Sequence, residues 1–456
     1  MAVDYLTALG VGAGIDTNAI VDALVEAERA PKQSSLDRLI SKSETRISAY
    51  GIVKSTLELV REQFQRLDDV TDVTAFSSQS SNSLAVEATT TSAAQAGSYQ
   101  LTVSQLADRD SYTFDGFDSK TEVLNDGAAL TIRIIQDGAS NDVTISNPTL
   151  TDIVSAINDS GLGITASVID TAQPSNRYVL SVSSDTGADN AFTLSSDLLT
   201  NEVQQSTAQD AMMTINGIDV VSASNDVSSA LTGINLHLKD TFASEQIVVS
   251  RDTSVLEGEI SSLVDVYNEA QVIFKSLKNG DDPEDDLIGS LTTDSIFRTI
   301  ESSFRSTFGS PSATASGSIS YWSDLGVEMQ RDGSLKLNQD RLETALATSY
   351  DDVVSALTAD TNNQTDLGVQ DRGLAGAMSA HIRNMVALSG PLDTAIRNAS
   401  DNSSDYREEL EDLESRMERV RERYVQQFQA MQQIVDQMSG TSDYLKSQFE
   451  ALNAND

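Results

Sequence analysis

Residues that could perform acid–base or metal chemistry are scarce in this chain. Its 456 residues include no cysteine and two histidines: His237, expected on the polar face of a strand, and His381, expected on a helix. Without cysteine there are no disulfides, thiolate metal sites or cysteine nucleophiles. Two histidines leave little for proton transfer near neutral pH, and neither is accompanied by a Gly-x-Ser-x-Gly motif. We therefore expect no catalytic site, no metal and no cofactor, so the chain is not predicted to be an enzyme.

A glycine-rich segment near the N-terminus, residues 10–14, has the composition of a phosphate-binding loop. Such a loop follows a buried strand and opens a helix, and no strand is predicted before Gly10. A structural interpretation is favoured instead. It is a flexible segment followed by a helix over residues 18–28, which Asp16 caps and Pro31 ends.

Two acidic segments have oxygen ligands that could attract calcium. They are residues 281–286 and the spaced set Asp360, Asn362, Gln364 and Asp366. The first contains a proline, and the second lacks the glycine required at the sixth position of a calcium-binding loop. Solvated loops are the favoured interpretation of both.

The charge of the chain excludes several partners. Its formal net charge is −39, and no cluster of lysine and arginine is present to meet a phosphate backbone or an anionic membrane. No stretch approaches the roughly 20 apolar residues of a membrane helix. The first 17 residues also lack a basic start followed by an apolar run, so no cleaved signal peptide is expected. We expect neither nucleic-acid binding nor membrane insertion.

The elements that would position a functional surface are strongest at the two ends. Apolar residues recur in sevens there, on two parallel lines, which is typical of a coiled coil. The C-terminal lines are Leu410, Met417, Tyr424, Met431, Met438, Leu445 and Leu452, and then Leu413, Val420, Gln427, Ile434, Thr441 and Gln448, the second line becoming polar towards the end. The first N-terminal line is Leu36, Tyr50, Leu57 and Phe64, with Ser43 interrupting it, and the second is Leu39, Val53, Val60 and Leu67. Both ends are predicted to be long amphipathic helices.

The middle of the chain changes to the alternating pattern of strands. A Ser/Thr/Asn-rich segment over residues 77–95 separates it from the N-terminal helix, and alternation begins at Gly97. Asn216-Gly217 predicts a two-residue hairpin. One helix interrupts this region, with apolar residues from Leu150 to Ile157 and Gly161 at its end. Residues of about 97–252 are therefore predicted to form β-rich domains.

Helical patterning returns at Ser254, with a hairpin at Asp332-Gly333 and a break at Gly390-Pro391. The two helical halves must come together because neither buries its apolar face alone. We predict an α+β multidomain fold with terminal coiled-coil helices, a helical-bundle domain formed by both halves, and inserted β-rich domains. The boundaries are 1–40 with 412–456 for the terminal leg, 41–96 with 253–411 for the helical domain, 97–112 with 205–252 for one β-rich domain, and 113–204 for a second.

Several segments together resemble one family. At the ends they are Gly10–Val21, Glu26–Pro31, Gln427–Met431 and Tyr444–Phe449; in the middle they are Ala156–Asn158, Gly163–Val168, Ile215–Ile218, Val249–Ser254 and Leu263–Asn268. They resemble flagellar hook-associated protein 2, the caps of bacterial flagellar filaments, over nearly the whole chain. Ala13 stands where the family often has serine, and Gln432 where it often has aspartate.

The resemblance implies a structural assembly protein that caps the distal end of the filament, promotes flagellin polymerisation and prevents loss of exported subunits. The implied partners are other copies in a closed ring, of five subunits within a range of four to six, flagellin at the filament tip, and a cytoplasmic export chaperone at the C-terminal helix. The implied location is extracellular, at the flagellum tip, reached unfolded through the flagellar export apparatus. A chain that refolds outside the cell is also safer without thiols that could mispair.

The candidate assembly interface is the apolar line of the terminal helices. Its residues are Leu36, Leu39, Tyr50, Leu57, Phe64, Leu410, Met417, Tyr424, Met431, Met438, Leu445 and Phe449. Two alternatives stay open: another flagellar axial protein, either flagellin or a hook-filament junction protein, and a secreted adhesin whose exposed β-domains bind a host receptor or mucin. The Gly10–Pro31 and Tyr444–Phe449 segments favour the cap.

Overall fold

The computed structural model describes residues 17–199, 201–280, 285–359 and 370–453. Its α-helices are α1 (Thr17–Gln65), α2 (Val70–Val73), α3 (Leu150–Asn158), α4 (Ser254–Lys278), α5 (Ser295–Phe308), α6 (Gln339–Thr348), α7 (Tyr350–Thr358), α8 (Leu374–Val386) and α9 (Pro391–Asn453). Short 3-10 turns lie at Asn125–Gly127, Ala188–Asn190 and Trp322–Leu325. The predicted glycine segment and its cap Asp16, most of the first acidic segment, and the second acidic segment lie outside the described residues.

The strands lie mainly between α1 and α4. They are β1 (Phe76–Ser80), β2 (Val86–Thr90), β3 (Gly97–Gln105), β4 (Arg109–Phe117), β5 (Leu130–Gln136), β6 (Ala139–Ile145), β7 (Ile164–Asp170), β8 (Tyr178–Thr186), β9 (Phe192–Ser195), β10 (Glu202–Ser206), β11 (Ala211–Ile215), β12 (Ile218–Ser222), β13 (Asp226–Leu231), β14 (Ile234–Leu238), β15 (Phe242–Arg251), β16 (Val327–Met329) and β17 (Leu335–Leu337). The sheet orders are β1-β15-β3-β11-β12, β13-β14-β2, β10-β4-β8-β7, β6-β5-β9 and β16-β17.

The chain divides into two compact units. The first, a helical unit, contains the described residues up to Asp68 and those from Glu259 onwards, and the second contains residues 69–258. The β-rich region is therefore inserted between two halves of one helical unit, and the predicted α+β multidomain fold is confirmed. The finer four-part division stays a prediction.

The helical unit has an aromatic core that both halves of the chain build. Phe64 of α1 makes an edge contact with Trp322, with ring centroids 5.7 Å apart, and Phe308 of α5 stacks on the same indole at 5.5 Å. Tyr267 of α4 stacks on Phe304 at 5.1 Å. Such pairs contribute about 0.5–1.5 kcal/mol each beyond the apolar area they bury. The core thus joins residues more than 200 positions apart in the sequence.

The inserted unit contains two hydrophobic cores. In one, the five-stranded sheet packs its inner face, with Leu101 and Val103, against the three-stranded sheet that carries Ile234 and Leu236. In the other, α3 covers the sheets of β10-β4-β8-β7 and β6-β5-β9 with its apolar side. A capping box at Thr149 starts α3 by satisfying the backbone N–H of Asp152. The first core lies between two sheets, and the second lies between a helix and sheets. Both are layered arrangements that bury the apolar face of strands with alternating apolar and polar residues.

The predicted hairpins are present. Ile215 pairs with Ile218 across Asn216 and Gly217, whose φ angles of 50° and 81° match the left-handed turn that this dipeptide favours. Met329 pairs with Leu335 around Asp332-Gly333. Local turn chemistry therefore determines the register at both places.

Three asparagine side chains each form two hydrogen bonds with the backbone of one residue, as a neighbouring strand would. Asn268 of α4 donates to the carbonyl of Leu335 at 2.9 Å and accepts from the Leu335 amide at 2.8 Å. Asn158, at the end of α3, makes the same pair of bonds with Ala166, and Asn225 makes it with Ala107. Asn158 and Asn268 belong to the segments that carry the family resemblance, and their role is to join an element to the exposed edge of a strand.

Two sequence predictions are wrong. Pro31 does not end a helix, since α1 continues from Thr17 to Gln65 with the proline on its exposed side. An internal proline costs about 3 kcal/mol, which the long packed face of α1 offsets. The segment over 77–95 is also not a mere separator, because it contributes to β1 and forms β2. Its Ser/Thr-rich composition lacks the alternation that predicts strands, and the segment forms strands because it pairs with β15 and β14.

Candidate assembly surface on the terminal helices

The terminal helices α1 and α9 form an antiparallel coiled coil. Arg421 of α9 pairs with Asp22 of α1 at 3.0 Å, and Arg407 pairs with Glu44, so residue numbers rise along one helix as they fall along the other. These exposed ion pairs contribute about 0–1 kcal/mol each. The pairing must therefore depend mainly on the apolar seam.

The packed part of the seam lies between Leu410 and Tyr424. Leu413, Met417 and Val420 are its buried residues, at 3–7% exposure, and Val25, Leu36, Leu410 and Tyr424 pack against them. This is the seam that the two C-terminal lines of sevens predict. Val25 is a contact that the sequence analysis missed, although it falls eleven positions before Leu36, a spacing compatible with one helix face.

The predicted interface residues divide into three groups in the structure. Leu36, Leu410, Met417 and Tyr424 lie in the packed seam, with Leu39 beside it and exposed. Tyr50, Leu57 and Phe64 are buried in the helical unit, at 0–3% exposure. Met431, Met438, Leu445 and Phe449 are exposed. The assignment of the whole set as an assembly interface stays a prediction, and in the folded chain the third group is the accessible one.

Tyr50 has a polar role inside the helical unit. Its hydroxyl donates to Asp294 Oδ2 at 2.5 Å, while Asp294 Oδ1 caps α5 by accepting from the Phe297 amide at 2.9 Å. Burial, followed by the hydrogen bond to Asp294, raises the pKa of Tyr50 well above its usual range. A cavity of about 240 Å³ lies beside this pair, with Arg46 on its wall. Tyr50 therefore joins α1 to α5 and is not available to a partner.

A stripe of exposed apolar side chains continues along α9 beyond the packed seam. We call it the apolar stripe; its residues are Met431, Ile434, Val435, Met438, Leu445 and Phe449, each at 45–69% exposure. Between Met431 and Phe449 the helix rises about 27 Å. Contiguous exposed apolar surface is typical of interaction sites, which makes the stripe the candidate assembly surface. Val435 was not predicted, although it follows Met431 at the i+4 spacing of one face.

The structure places His237 on an exposed strand and His381 on a helix, as the sequence predicts. His237 pairs with Asp226 on an exposed sheet face, and His381 is partly buried on α8, where burial lowers its pKa. Within the described ranges, no group of three or more His, Cys, Asp and Glu side chains could hold a metal ion. Within the same ranges, no helix is long and apolar enough to cross a membrane.

The chain has long terminal helices that pair with each other, β-domains inserted between them in the sequence, and an exposed apolar stripe near one end. These features are typical of a structural protein that assembles with partners. Two family models match this chain: "Flagellar hook-associated protein 2 N-terminus" over residues 13–110 and "Flagellar hook-associated protein 2 C-terminus" over residues 208–440. The chain belongs to the flagellar hook-associated protein 2 family.

Individual relatives agree with the family models. The chain is 29% identical to flagellar hook-associated protein 2 of Escherichia coli K12 over 475 residues, which cover 98% of each chain. It is 25% identical to the A-type protein of Pseudomonas aeruginosa over 480 residues, or 97% of each. A crystal structure of the D1-D2-D3 domains of the flagellar cap protein FliD from Escherichia coli matches with a TM-score of 0.63 at 26% identity, covering 77% of this chain and 99% of that one.

The prediction of a flagellar filament cap protein is confirmed, and flagellin, a junction protein and an adhesin are not favoured. The family is one of structural proteins of the flagellum.

Proposed function

We propose that this chain forms a closed ring at the distal end of the flagellar filament and promotes the polymerisation of flagellin beneath it. The observation that carries the proposal is the apolar stripe of α9, from Met431 to Phe449. Each of these side chains leaves about half or more of its surface open to water, which is unfavourable unless a partner covers it. Flagellin at the filament tip is that partner, because the stripe lies on a terminal helix that can extend into a helical lattice.

The stripe also bears on the step before assembly. Before assembly it needs protection, so we infer that a cytoplasmic export chaperone covers the C-terminal helix. Export through the flagellar apparatus requires an unfolded chain, and a chain without cysteine refolds outside the cell without disulfide errors. A ring of five copies, within a range of four to six, accords with the closed symmetry of most homo-oligomers. A host receptor or mucin stays a prediction from the sequence.

Two measurements test the proposal. Native mass spectrometry of the full chain at micromolar concentration and physiological salt should give one closed oligomer. Expressing this chain should restore filaments and motility in a cap-deficient strain whose flagellin has been replaced by the flagellin that this chain normally caps. A strictly monomeric mass up to high micromolar concentration would refute the ring, and loss of flagellin as unpolymerised monomer despite expression would refute the capping role.

A further inference from the structure

The two hydrophobic cores of the inserted unit lie in two parts of its chain. We call these parts the first lobe, residues 76–107 and 211–251, and the second lobe, residues 109–206. The chain crosses from the first lobe to the second at Asp108 and returns through residues 207–210. Two short crossings by themselves would leave the lobes free to move, because motion between parts of a chain is the default unless their contact is extensive.

The two crossings pair with each other as one antiparallel ribbon. The amide of Asp108 donates to the carbonyl of Gln209 at 2.9 Å, and the amide of Gln209 donates to the carbonyl of Asp108 at 3.1 Å. Pairing continues into β3 and β11 on the side of the first lobe, and into β4 and β10 on the side of the second. An isolated two-stranded ribbon is only marginally stable, so its attachment to each lobe decides how far it can bend.

Asn225 attaches the ribbon to the first lobe. Its side chain accepts from the Ala107 amide at 2.8 Å and donates to the Ala107 carbonyl at 2.9 Å. Asn225 comes directly before β13, which belongs to the first core. The side-chain amide of Gln209 also donates to the carbonyl of Leu106 at 3.0 Å. The ribbon is therefore fixed to the first lobe as far as Ala107.

Asp110 attaches the ribbon to the second lobe. It is 3% exposed, and its carboxylate accepts hydrogen bonds from the Phe192 amide at 2.9 Å, the Ala208 amide at 3.1 Å and Gln204 Nε2 at 3.1 Å. Hydrogen bonds to an ionised carboxylate are about twice as strong as neutral ones, and a buried carboxylate that loses a donor is strongly destabilised. Since Ala208 lies in the returning crossing and Phe192 in β9, a bend of the ribbon here would remove a donor from Asp110.

A turn of the second lobe fills the short interval between these two attachments. The Gly187 amide donates to the carbonyl of Asp108 at 3.1 Å, and the Ala188 amide donates to Asp210 Oδ1 at 2.7 Å. Gly187, with a φ of 108°, lies so close to Ala223 of the first lobe that an added Cβ would be 2.7 Å from the Ala223 Cβ. The two lobes therefore touch directly at a position where only glycine fits.

We propose that this joint holds the two lobes in one orientation, so that the inserted unit moves as a single body. Asp110 and Gly187 are its positioning residues: Asp110 because its buried charge needs donors from both sides, and Gly187 because it has no side chain. The second lobe then presents its surface at a fixed angle to the first. A partner that contacts both lobes consequently loses less conformational freedom on binding. The inference does not depend on the proposed ring, because every contact lies within one chain.

The absence of cysteine allows a direct measurement on the full chain. Thr89→Cys in the first lobe and Thr165→Cys in the second, both at exposed positions, each accept one spin label. Double electron–electron resonance then gives the distribution of distances between the lobes. Dilution of the labelled chain in excess unlabelled chain removes distances between copies. A second label pair, Thr165→Cys with Thr193→Cys, lies entirely in the second lobe and reports on the lobe itself.

Two variants disturb the joint in different ways. Asp110→Asn keeps the size of the side chain but replaces one acceptor oxygen by an amide that faces hydrogen-bond donors. Gly187→Ala removes no hydrogen bond and forces a Cβ against Ala223. The matched control is Gly116→Ala, also in the second lobe. Its φ of 102° gives a similar backbone strain, but the added Cβ would meet the Asn201 side chain at an ordinary 3.8 Å.

We expect one narrow distance between the lobes in the wild type and in Gly116→Ala. Asp110→Asn should broaden that distribution because a donor is lost, and Gly187→Ala should shift its mean because the lobes must separate. Distances within the second lobe should stay as in the wild type. A broad wild-type distribution would overturn the inference, as would unchanged distributions in both variants. Broadening within the second lobe in Asp110→Asn would show that Asp110 serves the folding of that lobe, and an unshifted mean in Gly187→Ala would then leave the joint refuted.

Discussion

The sharpest prediction concerns two residues of the apolar stripe, Leu445 and Phe449. Changing both to aspartate should abolish filament capping while the free chain keeps its fold. Leu445 is 50% exposed and Phe449 is 65% exposed, so neither contributes to a core in the free chain. Substitutions at exposed positions usually change the free energy of unfolding by less than about 0.5 kcal/mol.

The loss on docking follows from the same exposures. Full burial of a leucine or phenylalanine side chain is worth about 1.5–3 kcal/mol. Covering the half or two-thirds that is still exposed would then contribute about 2–3.5 kcal/mol for the two residues together. Two carboxylates without partners in an apolar contact cost several kcal/mol more. A total above about 5 kcal/mol corresponds to more than three orders of magnitude in affinity.

The assay is complementation of a cap-deficient strain, with motility and the length of cell-attached filaments as readouts. The matched control is Gln433→Asp with Ser447→Asp, which adds the same charge to α9 on the side away from the stripe. The control should restore filaments, and the Leu445/Phe449 variant should not, although both should have the wild-type circular dichroism spectrum. Wild-type filament length with the Leu445/Phe449 variant would refute the role of the stripe.

Three further predictions concern stability. Met417→Ala should lower the free energy of unfolding of the α1–α9 pair by about 2–3 kcal/mol because the Met417 side chain is 3% exposed. Met438→Ala, on the same line of sevens but 69% exposed, should change that free energy by less than about 0.5 kcal/mol. Urea titrations followed by amide exchange would distinguish the two variants. Asn268→Ala should cost about 2–3 kcal/mol because it leaves an amide and a carbonyl of β17 unpaired, and an unchanged urea midpoint would contradict this. Hydrogen bonds from Ser334 lower the pKa of Asp332 to about 2, so its contribution to stability is complete above the unfolded pKa of about 4 and is lost as pH falls towards 2; a carboxyl titration by NMR with a midpoint near 4 would contradict it.

Much of the local structure was predictable from short-range chemistry. Asn216-Gly217 and Asp332-Gly333 determine their turns by themselves, and the apolar spacing of residues 150–157 determines α3. The strands β1 and β2 were not predictable, because Ser/Thr-rich segments have no clear alternation of their own. They become strands when β15 and β14 offer them free hydrogen-bonding edges.

The candidate site shows the same division between local pattern and tertiary contact. The spacing of sevens by itself determined that both ends are helices and which face of each is apolar. It could not determine what that face would meet. Tyr50, Leu57 and Phe64 entered the core of the helical unit, Met417 entered the coiled coil, and Leu445 stayed open. Periodicity determines the direction of a side chain on its own helix. Whether the side chain is buried depends on which other surface packs against that face, and only the tertiary structure determines this.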